Sequence, residues 1–395
     1  MINVLVGFSI VWSWGGGALE RFPEQGAKED ALRTCTMIQP MAQALASSQS
    51  ARVRVAVIIP YFQREPGILR RCLSSIVAQR LTGYVQVSVI IVDDESPCPL
   101  ADELRGIVIA EPFRIAQVRR PNGGPAAARN TGLDSLPPDT EFVAFIDSDD
   151  TWDPQHLDRA IEGLQMGFDV YFSDYSDWDR TGHFGKTKFL REVVSTGGLS
   201  PLAGSSEMSR CRSADVFPYF IREYAAHPSV IVYRYTKLAA VRFVDIIPGE
   251  DHIFFLDLVV RCDELCFSDK LEAYLGDGIN IYRSTVSWDA PGNLRRCATS
   301  LALQMEMRRR YSLPAETDAY LTAAIRHWRV ALSFLLIRQI AKARSLSLAD
   351  LKFVHRIDPL FFSVFPLAAI VAIKRLIVGR FQPSHPFEWI SRWSP

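Results

Sequence analysis

The sequence has no Cys-x-x-Cys pair, no internal repeat and no apolar run of bilayer-spanning length in its 395 residues; a spanning helix needs about 20 apolar residues. Its seven cysteines (Cys35, Cys72, Cys98, Cys211, Cys262, Cys266, Cys297) are odd in number and scattered, which argues against a disulfide framework. Cys262 and Cys266 stand four apart without a second pair or a histidine cluster, so spacing disfavours zinc. Buried thiols in a reducing cytoplasm are expected instead. Net charge is absent too, with 44 Lys+Arg against 44 Asp+Glu. The apolar run at residues 4–14 has no basic residue ahead of it and fits a secretory signal poorly. With 48% hydrophobic and 22% charged residues, the composition excludes wholesale disorder and a multi-span membrane protein.

The zero net charge hides an asymmetry. From Arg295 onward, 16 Lys/Arg face 6 Asp/Glu, so a carboxylate-rich body precedes a basic tail. Residues 1–50, with a glycine triplet and an Ala/Gln/Ser-rich stretch, are expected to form a poorly ordered extension. Residues 53–60 form a β-branched run ended by Pro60, a buried strand. A helix over 68–79 follows, then a strand over 85–92 that ends at Asp93 and Asp94. A small-residue helix over 126–133 leads to a strand over 142–146 that ends at Asp147, Asp149 and Asp150. Strand and helix alternate, with acidic residues at successive strand ends. That predicts an open α/β sheet whose ligand crevice follows those ends. Residues 174–213 lack periodicity and read as a long functional loop. A strand over 229–233 and an apolar helix over 251–260 come next.

Residues 57–61 (VIIPY), 92–96 (VDDES), 120–132 (RPNGGPAAARNTG) and 147–150 (DSDD) resemble, in order and spacing, the family 2 glycosyltransferases. The resemblance covers about residues 52–290 and implies an α/β GT-A fold, a Rossmann-like open mixed sheet flanked by helices, with a helical C-terminal extension. It divides the chain into a nucleotide-sugar half (51–155), an acceptor half (156–294) and a basic helical C-terminal region (295–395). Within the family, residues 60–71, 93–97 and 278–282 are similar to transferases that add a β-linked glucose during assembly of a lipid-carried, succinoglycan-like exopolysaccharide. Glu95 stands where the family more usually has glycine. No Q-x-x-R-W motif occurs, which argues against a processive synthase.

The residues then take roles. Asp93 and Asp94 can accept from a uracil N–H and ribose hydroxyls, a role the resemblance gives chiefly to Asp94; a solvated turn is the alternative. Asp147 and Asp149 straddle Ser148, so in an extended chain they point to one side and can serve ribose and a cation. Asp149 is the expected metal ligand, for Mg²⁺ or Mn²⁺. Arg129 is expected to position the donor, with a helix-face ion pair as the alternative. The resemblance adds Pro60, Tyr61, Glu65, Asn122, Gly124 and Ser148 on the donor side, and Glu250 and Trp152 on the acceptor side. Asp251 is the expected base, deprotonating the acceptor hydroxyl in a single inverting displacement; a carboxylate favoured by the helix dipole is the alternative.

The C-terminal residues Leu321, Ile325, Trp328, Leu332 and Leu335 keep helical spacing, with Arg326, Arg329, Arg338 and Lys342 off that stripe. This predicts a basic amphipathic helix, and the apolar run at 359–373 reads as interfacial. Such a tail suits an anionic membrane surface and an undecaprenyl diphosphate-linked acceptor, hence a cytoplasmic enzyme peripheral to the inner membrane. A solvated helix face is the alternative, and no motif supports nucleic acid. The expected activity is inverting transfer of a hexose, glucose by resemblance, from a UDP-sugar. A nucleotidyltransferase, or an inactive scaffold of an assembly complex, is the competing reading.

Overall fold

The computed structural model describes residues 52–377, except 83, 177–179, 206, 247–248, 277–291 and 343–346. The expected extension at 1–50, the stretch 278–282 and the tail beyond 377 lie outside the described residues. Four parallel strands, β1 (Val53–Tyr61), β2 (Val85–Asp93), β3 (Phe113–Arg119) and β4 (Phe142–Phe145), run in the order β3-β2-β1-β4. Parallel neighbours require crossovers, and α1 (Ile68–Val77), α2 (Leu100–Leu104) and α3 (Gly124–Asp134) lie between them in the chain. Val55, Val57, Ile58 and Ile59 are buried, as a strand covered on both faces must be. Register sets the crevice. Tyr61 lies opposite Asp93, and Ile58 opposite Phe145, so Asp94 and Asp147 leave the sheet at the ends of the two strands that flank β1.

β5 (Thr151–Trp152) and α4 (His156–Gln165) follow β4, and the sheet then turns mixed. β9 (Ile231–Arg234) runs antiparallel to both β4 and β6 (Val170–Ser176). β6 is parallel to β10 (Glu264–Tyr274), which carries β8 (Met208–Arg212) and β5 antiparallel, with β7 (Leu199–Pro201) at the edge. The sequence predicts an irregular loop over 174–213, but this stretch holds the end of β6, α5 (Lys188–Ser195), β7 and β8. α5, β7 and β8 are short and bury few residues, Phe189 and Val193 on α5 for example, too few to make a periodic signal. α6 (Ser213–Arg222), α7 (Tyr235–Leu238) and α8 (Glu250–Val259) complete this part. A single buried cluster runs from β1 through α8 and β10.

The C-terminal helices α9 (Asn293–Arg310), α10 (Ala315–Ala341), α11 (Leu348–Ile357) and α12 (Phe361–Ile377) enclose a second core. Here the structure corrects the sequence. α10 is not a surface amphipathic helix: Val330, Ala331, Phe334 and Leu336 are buried along with the predicted stripe. α9 and α12 pack on it, so residues off the stripe also find apolar partners. Arg329 is satisfied by the buried Asp358 at 2.7 and 3.0 Å. Among the described residues no single helix is long and apolar enough to cross a membrane; α11 and residues 361–374 of α12 meet that test only as a pair bent by 100°.

Candidate active site

On the donor side the carboxylates are held by backbone. Asp94, 2% exposed, accepts from Gly123 N (3.0 Å) and Gly124 N (2.8 Å), and pairs with Arg120. The start of α3 is thereby fastened to the end of β2, a use of helix-terminal N–H groups that suits an anion. Asn122 Nδ2 donates to the Asp94 carbonyl at 2.9 Å. Asp93 Oδ1 accepts from Ser96 N at 2.7 Å and closes the turn. Glu95 sits in that turn at φ 61°, a left-handed conformation uncommon for non-glycine residues; hence the glycine more usual in the resembling family.

Gln63, which the sequence did not single out, bridges three strand ends. Its Nε2 donates to Ser148 Oγ at 3.0 Å, its backbone N donates to Ser96 Oγ at 2.9 Å, and its carbonyl accepts from Cys98 N at 2.9 Å. Ser148 is therefore buried and fastens loops. Tyr61, expected on the donor, is likewise internal, with its hydroxyl donating to the Cys98 carbonyl at 2.9 Å. Pro60 is half-buried and Glu65 is exposed at the rim.

The segment 147–150 is a turn, with Asp150 N donating to the Asp147 carbonyl at 3.0 Å. The alternation expected of an extended chain fails for this reason, because a turn brings together residues three apart. Asp147, Asp150 and His227 have ligand atoms within 4.8 Å of one another, and Asp149, the expected metal ligand, is not in that group. His227 Nε2 lies 3.7 Å from Asp147 Oδ2, and His227 Nδ1 lies 3.6 Å from Asp150 Oδ2. Asp150 also accepts from Ser229 Oγ (2.6 Å) and Gly276 N (2.9 Å). Two carboxylates, with the imidazole as a third ligand, fit a divalent cation such as Mg²⁺ or Mn²⁺. Burial pushes Asp150 well above the carboxylate range, reinforced by Asp149 and Asp147. Burial also opposes ionisation of Asp147, but the Arg129 guanidinium and His227 outweigh it and hold Asp147 below its usual range.

Arg129 joins the two sides. It is 3% exposed; its Nη2 donates to Asp147 Oδ1 at 2.6 Å, and its Nη1 lies 3.5 Å from Glu250 Oε1. Glu250 and Asp251 open α8, where Gly249 takes φ 122°. Burial, then the neighbouring Asp251 charge, raise Glu250 to about 8, against the pull of Arg129. Asp251 is half-buried, accepts from its neighbour His252 N at 2.8 Å and takes the hydroxyl of Tyr224. Sequence reasoning passed over Tyr224 and His227 and read Ser229 only as the start of a strand; the fold aims them at the crevice.

Trp152, expected on the acceptor side, does not line it. The ring is 4% exposed and its Nε1 donates to the Ser229 carbonyl at 2.6 Å, so it braces the segment that carries His227.

Residues 56–191 match the model of Glycosyl transferase family 2. The chain is 37% identical over 249 residues to the succinoglycan biosynthesis protein ExoW of Rhizobium meliloti (strain 1021), covering 62% of this chain and 75% of that protein. ExoO, another succinoglycan biosynthesis protein of that organism, is 27% identical over 296 residues, 70% of this chain and 74% of ExoO. Among solved structures, S. aureus TarS 1–349 in complex with UDP-GlcNAc superposes with a TM-score of 0.50 at 18% identity, over 83% of this chain and 92% of that one; such a likeness speaks for the fold alone. Motifs, sheet topology and the extent of the likeness to ExoW agree: this chain belongs to glycosyltransferase family 2 and has the GT-A fold.

Proposed function

We propose that this glycosyltransferase moves a hexose, glucose in the first instance, from a UDP-sugar to a lipid-linked oligosaccharide of a succinoglycan-like exopolysaccharide, with inversion at C1. The observation that carries the reading is the Arg129 bridge, which ties Asp147 at a strand end to Glu250, the neighbour of Asp251, across one crevice. Asp94, buttressed by the N–H groups of Gly123 and Gly124, and the 147–150 turn hold the nucleotide. Asp251 Oδ takes the proton of the acceptor hydroxyl as its oxygen attacks C1 from the face opposite UDP. Tyr224 orients that carboxylate, and Arg129 keeps Asp147 ionised. A divalent cation at Asp147, Asp150 and His227 would supply charge stabilisation for the leaving diphosphate. Glucose and the lipid-linked acceptor rest on the likeness to a succinoglycan biosynthesis protein.

The test is transfer from UDP-glucose, UDP-galactose and UDP-N-acetylglucosamine onto a bacterial lipid extract, with Mn²⁺ or EDTA. Turnover of UDP-glucose abolished by EDTA is the expected result. Turnover of another donor alone overturns glucose, and binding without turnover of any donor favours the scaffold reading.

The same proposal assigns the enzyme to the cytoplasmic face of an anionic membrane. α12 exposes Phe362, Leu367, Ile370 and Ile373, with exposed Lys352 and Arg356 on α11 and Lys374 on α12. The ring of His355 on α11 lies 6.2 Å from Phe362, which sets the α11 cations at one end of an apolar strip and Lys374 at the other. Apolar area flanked by cations suits a helix lying in the headgroup plane. Co-sedimentation with phosphatidylglycerol vesicles, weakened at least about tenfold by Leu367→Glu with Ile370→Glu, is expected. A wild-type dimer that the same pair of changes makes monomeric would assign the strip to a second copy instead.

A further inference from the structure

α9 lies along the helix that carries Asp251 and touches it once per turn. Leu303 covers Gly249 so closely that a Cβ there would meet Leu303 Cδ1 at 2.8 Å. The hydroxyl of Tyr311, the C-cap of α9, stands 3.3 Å from the Ile253 carbonyl and 3.2 Å from Asp257 Oδ1. Arg310 Nε donates to Asp257 Oδ1 at 2.8 Å, and its Nη2 grips Oδ2. Positions 249, 253 and 257 advance four at a time along α8, and their partners 303, 311 and 310 lie on one face of α9 around the fully buried Met307. Asp257 is 2% exposed. The opposite face of α9, with Leu294, Cys297, Ala298 and Leu301, belongs to the second core.

We infer that α9 is part of the catalytic apparatus, with Arg310 and Leu303 as positioning residues that fix α8 and so aim Asp251 at the acceptor hydroxyl. The inference rests on Asp251 as the base. A guanidinium fork on a buried carboxylate is a strong, directional clamp, and a misplacement of about 1 Å at a catalytic group can lower a rate roughly 100-fold. None of the donor contacts described above involves α9 directly, so the clamp acts more on turnover than on nucleotide binding.

The test measures UDP release from UDP-glucose with a lipid extract as acceptor, alongside UDP affinity. Arg310→Gln is expected to lower kcat roughly 10- to 100-fold while KM for UDP-glucose and UDP affinity stay within about twofold. Arg310→Lys, which keeps the charge and loses the fork, should recover part of kcat. Leu303→Ala touches no charge and gives a smaller kcat loss of the same pattern, so the test survives if Arg310→Gln does not fold. An unchanged kcat in folded Arg310→Gln, or parallel losses of kcat and UDP affinity, overturns the inference. Asp251→Asn measured in parallel separates the two claims: if it stays active, the base assignment fails whatever Arg310 does.

Discussion

Asp94 is held by chain no more than 30 residues away, through Gly123, Gly124 and Arg120, and Asp93 by Ser96 three residues on. Asp251 instead takes a hydroxyl from Tyr224, and its helix leans on Arg310, 53 residues beyond Asp257. The Asp93–Asp94 end of the crevice is thus assembled locally by consecutive crossovers, whereas the 147–150 turn and the helix of Asp251 are held by elements distant in sequence. Local assembly tolerates change elsewhere, whereas parts held by distant elements can be disabled from outside the crevice. The family match at 56–191 covers the first kind of assembly and ends before Asp251.

This contrast can be broken in graded steps. The largest effect is expected for Asp251→Asn, a loss of roughly 10²- to 10⁴-fold in kcat with UDP affinity retained; comparable losses in both would mean that the two sides are not separable. Next comes Gly276→Ala. A Cβ at Gly276 would lie 1.8 Å from the Asp149 carbonyl oxygen, so the 147–150 turn must move and the Gly276 N bond to Asp150 goes with it. UDP binding should weaken by about tenfold or more, roughly 1.4 kcal/mol, in titration calorimetry, and unchanged affinity would dissociate the turn from the donor.

The last step concerns stability and not turnover, at Glu250. Its folded-state value, raised by burial from 4.5 to about 8, means that the folded protein keeps a proton the unfolded chain releases. The associated stability is full below about 4.5 and is lost as pH rises toward 8, with a slope of at most about 1.4 kcal/mol per pH unit. Glu250→Gln should flatten that slope in urea unfolding between pH 5 and 8; an unaltered slope would assign it elsewhere.

The parallel half was legible because its signals are local. β-branched runs mark β1 and β2, strand-end carboxylates mark the crevice, and glycines mark the loop before α3. Asp94, Arg129 and Asp147 stand where such a pattern must put them. The turn at 147–150 was not legible: acidic residues alternate in the sequence whether the backbone is extended or turned, and only the hydrogen bond from Asp150 to Asp147 decides. Tyr61, Ser148 and Trp152 could not be told from ligand contacts for a related reason. A polar side chain at a strand end can turn outward or inward, and here each found an internal partner. α10 misled because cations off a helical stripe imply solvent only when no other helix packs on that side.

By itself, then, the sequence determined the strand-helix alternation, the acidic strand ends and the family, since each follows from residue types repeated at short spacing. Tertiary structure alone decided that Asp150 and His227 join Asp147, that Arg129 spans the crevice to Glu250, and that α9 backs the helix of Asp251. Apart from the turn that joins Asp147 to Asp150, these contacts join residues from 53 to more than 100 apart, and pairing over such separations depends on how the sheet and helices pack, which short-range patterns in a single chain do not encode.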